Sequence, residues 1–182
     1  YAGVWHMSED PSGTAPQILD STSNNNDGTS AGTMTTGDQV AGEVNGSLDF
    51  DGGDDYVDVS ESAVFNITQA ITMSAWIKTS DESGNIIGTK TTDYLQYTFD
   101  ITTNRVIRFN YRTQQGHGGF QHSYATDSGI VDNTWTHVVV RYISGNANSA
   151  RLYINGQEVS SSWILGNGTS NMASLNRNVR IG

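Results

Sequence analysis

From Leu48 onward apolar and polar residues alternate along much of the chain, and nowhere do apolar residues recur at helical spacing. Over residues 71–78, Ile71, Met73, Ala75 and Ile77 share one face. Leu95, Tyr97, Phe99 and Ile101 alternate with Tyr94, Gln96, Thr98 and Asp100. Ile107, Phe109 and Tyr111 alternate with Arg108, Asn110 and Arg112, and His122 and Tyr124 fall together on a further strand. Residues 135–143 are apolar on both faces around Val138, Val139 and Val140, which predicts a central strand covered on both sides. Asn155-Gly156 lies between two strand-like runs. This predicts a two-residue type I′ hairpin, because both turn positions need positive φ. Residues 1–7 read as a short strand. Residues 8–46 carry almost no period, and a stretch that long in a compact domain is either functional or tied down. Roughly ten to twelve short strands with frequent turns predict an antiparallel two-sheet sandwich, an all-β fold.

Composition sharpens this reading. Val and Ile supply 13 residues each and Leu only 6, so a helix bundle is excluded. No apolar run is long enough to span a membrane as a helix. Nineteen acids against nine bases give a net charge of −10, and the only lysines are Lys78 and Lys90. Such a chain repels nucleic acid and anionic lipid. With no Cys it has no disulfide, thiolate nucleophile or Cys-ligated zinc. At 182 residues it suits one domain. Because it starts at Tyr1, it reads as a piece cut from a longer chain.

Six segments together resemble one family: residues 5–7 (Trp-His-Met), 20–28, 46–57, 71–77 (Ile-Thr-Met-Ser-Ala-Trp-Ile), 135–142 (Trp-Thr-His-Val-Val-Val-Arg-Tyr) and 152–156 (Leu-Tyr-Ile-Asn-Gly). Their order and spacing are similar to the laminin-G-like, concanavalin A-like and pentraxin-like jelly-roll modules of large secreted bacterial proteins. The resemblance implies a single jelly-roll domain over residues 1–182, extracellular or surface-displayed. It also implies that the strand which closes such modules after a Val-Arg-Ile-Gly segment is missing here. That strand was either trimmed or comes from elsewhere. The fold hosts lectins, adhesion modules, glycoside hydrolases and polysaccharide lyases, so function must come from the site.

Four chemistries compete for that site. Calcium takes oxygen ligands, and Asp20, Asn25 and Asp27 on a Gly-ended loop, with Asp51, offer them. The competing explanation is that these Asx residues cap their own turns. Related jelly rolls hold a structural calcium near the N-terminal loop. A glycosidase needs two facing carboxylates, yet none of the five Glu has an acid two residues away on a convincing interior strand. A lyase could use His122 or Tyr124 with Arg108, Asn110 and Arg112, but any polar sheet face looks like this. Sugar binding needs an aromatic ring beside planar amides and guanidinium groups. Tyr94, Gln96, Arg108, Asn110, Arg112, His117 and an exposed Trp163 fit that need, and Trp76 and Lys78 also lie off the core face. For Trp76 and Trp135 the resemblance favours packing. The chain is therefore expected to be a non-catalytic module that binds a polysaccharide or other surface ligand, with calcium as a structural ion. The alternatives are an adhesive module whose partners are neighbouring protein domains, and a polysaccharide-active enzyme.

Overall fold

A computed structural model describes the chain except for residues 91–94, 114–118 and 175 and the side chains of 90 and 95. The elements are antiparallel strands with three short 3-10 turns among the described residues. They fall into two compact units, residues 1–65 with 176–182, and residues 66–175.

The first unit holds β1 (Gly28–Ala31), β2 (Gln39–Val40), β3 (Ser47–Leu48), β4 (Tyr56–Val59) and β14 (Val179–Ile181). β4 pairs with β1 on one edge, from Gly28↔Val59 to Ala31↔Tyr56, and with β14 on the other. β2 and β3 form a separate ribbon. Ile18, Val57 and Val59 are fully buried. Gly28 is required by close approach, since a Cβ there would lie 2.4 Å from a Val57 methyl.

The expected strand over residues 1–7 does not form; Trp5 makes a single bridge to Asp20. The backbone there is held by a side chain instead. Val4 N–H donates to Asp20 Oδ1 at 2.9 Å, and the Trp5 indole donates to the Asn26 carbonyl at 2.9 Å. The aperiodic stretch is thus tied down by Asx bonds, and β1 lies inside it with no alternation to announce it.

The second unit is a two-sheet sandwich. One sheet runs β6 (Gly84–Lys90), β7 (Leu95–Thr102), β8 (Val106–Arg112), β9 (Gln121–Gly129) and β13 (Ser161–Leu165) in that order. The other runs β12 (Gln157–Glu158), β11 (Asn146–Ile154), β10 (Thr136–Ile143) and β5 (Ala70–Ile77). The period-2 pattern explains the core between them. Ile71, Met73, Val138, Val140, Tyr142 and Leu152 from one sheet pack in one cluster with Phe99, Ile107, Phe109 and Tyr111 from the other. Each such side chain contributes about 1.5–3 kcal/mol when buried.

The hairpin forms as expected, with Asn155 at φ 50° and Gly156 at φ 78°. The double-sided burial of β10 does not. It is a central strand, but its burial alternates, and Val139 points outward and is half-buried. Trp76 is 43% exposed on the outer face of β5, against the expectation of packing, while Trp135 is half-buried. Ile71 and Met73 already fill the inward positions of β5, so alternation leaves Trp76 outside.

Candidate functional site: a polar row across three strands

The outward positions of β7, β8 and β9 line up in register. Asp100 faces Arg108, Thr98 faces Asn110, Asn110 faces Ser123, and Arg112 faces Gln121. Arg108 grips Asp100 with two bonds, Nε to Oδ1 at 2.9 Å and Nη2 to Oδ2 at 3.1 Å. Asn110 is the hub of the row. Its amide N–H groups donate to Asp100 Oδ2 at 2.9 Å and Thr98 Oγ1 at 3.1 Å. Its carbonyl accepts from the Ser123 hydroxyl at 2.6 Å and from Gln121 Nε2 at 3.3 Å. Planar groups are thereby locked in place before any ligand arrives, which lowers the ordering cost of binding. Arg108 remains 29% exposed, and Arg112 and Gln121 are half-buried, so donors reach solvent along the row. Arg112 Nη1 donates to the Gly119 carbonyl at 3.3 Å.

Other expected ligand residues lie elsewhere. Tyr94 and His117 fall outside the described residues. Gln96 is fully buried rather than on the surface. Its amide donates to the Ala173 carbonyl at 2.7 Å and the Ile67 carbonyl at 3.2 Å, so the chain around those residues closes over it. Asn110 is likewise only 2% exposed and acts through its neighbours. Trp163 is not a free ring. It packs against the core beside Tyr124 (5.1 Å between centroids), Tyr142 (5.7 Å) and His122 (6.2 Å). Gly168, at φ 68°, passes so close to that ring that a Cβ would lie 2.0 Å from it.

His122 and Tyr124 face the same interior. His122 stacks on Tyr111 at 4.8 Å, and its Nδ1 accepts the backbone N–H groups of Asn167 (3.2 Å) and Gly168 (3.1 Å). Nδ1 is the acceptor, so the neutral ring carries its proton on Nε2, a buried atom with no partner among the described residues. Burial pulls its pKa down. A lyase base must reach solvent and substrate; this imidazole reaches neither.

Asp20, Asn25, Asp27 and Asp51, expected as one metal set, form two groups. Asp20 is 7% exposed and takes four donors: Val4 N–H (2.9 Å), Thr22 N–H (2.9 Å), Thr22 hydroxyl (2.8 Å) and Asn26 N–H (3.0 Å). Burial alone would raise its pKa, but these bonds outweigh burial and hold it below the usual carboxylate value. Asp27 accepts from Asp20 N–H at 2.8 Å, and Asn25 bonds the Ser23 carbonyl at 3.4 Å with its own backbone at φ 51°. The four donors to Asp20, one of them sixteen residues away, occupy the lone pairs of its carboxylate. Asp51 belongs with Asp54 and Asp55, whose ligand oxygens lie within 4.8 Å of one another. Asp51 Oδ1 accepts from Gly53 N–H at 2.7 Å, which with the Asp54 and Asp55 N–H groups lowers its pKa. Asp27 precedes β1, whereas Asp55 accepts from Thr33 beyond its far end. At roughly 3.3 Å per residue the two groups are on the order of 10 Å apart or more. Two ligands of one calcium lie within about 5 Å. Among the described residues Asp51 thus clusters with Asp54 and Asp55, not with Asp20 and Asp27.

Asp100, Thr98, Gln121 and Ser123 were missing from the expected ligand set. Their signal was present in the alternation of β7 and β9, but it becomes a site only when register puts the strands side by side.

The laminin G model described as the concanavalin A-like lectin/glucanases superfamily matches residues 51–182. No curated protein matches. The binding domain of a botulinum neurotoxin of serotype D/C is similar in structure, with TM-score 0.55 and 14% identity over 97% of this chain and 42% of that one. Domains LG4-5 of the mouse laminin alpha1 chain align with TM-score 0.42 and 20% identity over 64% of this chain and 28% of that one. The chain thus spans less than half the length of either of these solved chains.

Proposed function

Since the chain belongs to the concanavalin A-like lectin/glucanases superfamily, through a model that covers residues 51–182, we propose that it is a non-catalytic glycan-binding module of an extracellular protein. The observation that carries this reading is the pre-ordered row Asp100–Arg108–Asn110–Gln121. Guanidinium and amide groups fixed at hydrogen-bond spacing suit the hydroxyls of a sugar chain. The toxin neighbour, by its description a binding domain, fits a binding role at the level of fold. Catalysis fits less well. The row itself holds one carboxylate, Asp100, and it is committed to Arg108, Asn110 and Thr98. Glycoside hydrolysis needs two. No helix among the described residues is long and apolar enough to cross a membrane.

Titration calorimetry against a panel of neutral oligosaccharides tests this. At least one should bind, and Arg108→Ala should weaken it by roughly tenfold or more, as expected for loss of hydrogen bonds from a charged donor. Binding unchanged in both Arg108→Ala and Gln121→Ala, or no binding at all, would overturn the reading.

A structural calcium is part of the same proposal, held by Asp51, Asp54 and Asp55 rather than by the 20–27 loop. Three clustered carboxylates are the supporting chemistry. An ion that binds only the folded chain adds about 2.7 kcal/mol at a hundred times its Kd. Melting temperature should rise with millimolar calcium at fixed ionic strength, and Asp54→Asn should abolish the rise.

A further inference from the structure

The opposite outer face of the sandwich, on β5, β10 and β11, is a second surface with its own chemistry. Trp76 is 43% exposed there, and His137 stands across the strand pair with ring centroids 5.2 Å apart and planes at 36°. His137 is fixed from below: its N–H donates to Asn155 Oδ1 at 2.9 Å, and its carbonyl accepts Asn155 N–H at 2.8 Å. The pair is a semi-rigid aromatic shelf.

Charge distinguishes this face from the rest of the molecule. The register places Arg141 directly opposite Arg151, and alternation puts exposed Lys78 on the same side as Trp76, one step beyond β5. Like charges directly across an antiparallel pair are unfavourable. One is relieved, because Arg151 Nε binds Glu158 at 2.9 Å. Arg141 is exposed and makes no ion pair among the described residues. Three of the chain's nine bases thus share a face whose strands carry one outward acid, in a chain of net charge −10.

We propose that this face binds a polyanionic glycan, with Trp76 stacking on a sugar ring and Lys78 and Arg141 meeting carboxylate or sulfate groups on either side. The two bases flank the ring: two residues along a strand is roughly 7 Å and four roughly 13 Å, a span that suits a chain ligand rather than a single ion. Aromatic stacking supplies contact area, and the cations supply selection for charge. The net charge of −10 weakens non-specific attraction of such a ligand, so local cations decide where it binds. The inference is independent of the row on β7, β8 and β9.

Two immobilised probes test it, heparin for sulfate and polygalacturonate for carboxylate, with dextran as the neutral control. At least one polyanion should retain the chain, elution should shift to lower salt by a clear step in Arg141→Ser, and Trp76→Ala should lose retention roughly tenfold. Calorimetry of the unaltered chain against the neutral oligosaccharides, run in parallel, separates failure here from failure of the neutral-glycan site. Both positions are exposed, and matching melting curves will confirm that the variants fold. Tryptophan fluorescence should change on binding in the unaltered chain and not in Trp76→Ala. Retention on neither polyanion, equal retention on dextran, or indifference to Trp76→Ala would each overturn the proposal. So would a Trp76-dependent dimer in sedimentation, which would make a second copy the occupant.

Discussion

Asp20 shows how one side chain can organise a segment that has no secondary structure. Its two oxygens gather N–H groups from Val4, Thr22 and Asn26 and so join residues far apart in the chain. Asp20→Ala should destabilise the fold by about 1–3 kcal/mol, since several donors lose their acceptor at once. The midpoint of urea unfolding reads this, and Asp27→Ala, which removes one bond, should cost less. His122 makes a different prediction. Its pKa in the folded state is lowered by burial, whereas an unfolded imidazole titrates near about 6.5. Between those values the unfolded chain binds a proton that the folded chain refuses. Stability is therefore complete above about pH 6.5 and falls as the pH drops through that value. Melting temperature followed from pH 8 to pH 5 should show this loss, and His122→Gln should flatten it.

At the scale of elements, the hairpin that joins β11 and β12 rests on Asn155 and Gly156, both at positive φ. Asn155→Ala would keep the strained backbone and lose the bond to His137 N–H. It should cost about 1 kcal/mol or more, visible as a lowered melting temperature. This turn was legible in the sequence because two residues carry its whole signal. The strands of the second unit were legible for a similar reason. Ile107, Phe109 and Tyr111 all point inward as their spacing requires. β1 was not legible, since Gly28 to Ala31 contains no alternation and owes its pairing to β4. Gln96 was misplaced for a related reason. Alternation gives the side on which a residue lies, but not whether another segment folds over it. Trp163 was misread because its Ser-rich flanks suggest solvent. The rings that bury it come from β8, β9 and β10, far away in sequence. The candidate site was half legible. Arg108, Asn110 and Arg112 came from one strand's period, while Asp100 and Gln121 needed the register of three.

For the whole molecule, the core of the second unit has a property that reaches beyond packing. Tyr111 and Tyr142 place their hydroxyls 2.8 Å apart, and each also approaches a carbonyl, Ser170 and Gly168 respectively, at 2.8 Å. Two hydroxyl hydrogens serve three contacts, so at any instant one contact lacks its proton. Burial raises the pKa of both tyrosines, and of Tyr97 and Tyr124 as well. These four phenols therefore keep their protons in alkali for as long as the core holds. Optically, the native protein should stay silent at these rings as alkali is added. The four should then ionise together, in one step of ultraviolet absorbance that coincides with loss of structure. The chain carries its own colorimetric gauge of core integrity, read without label or ligand.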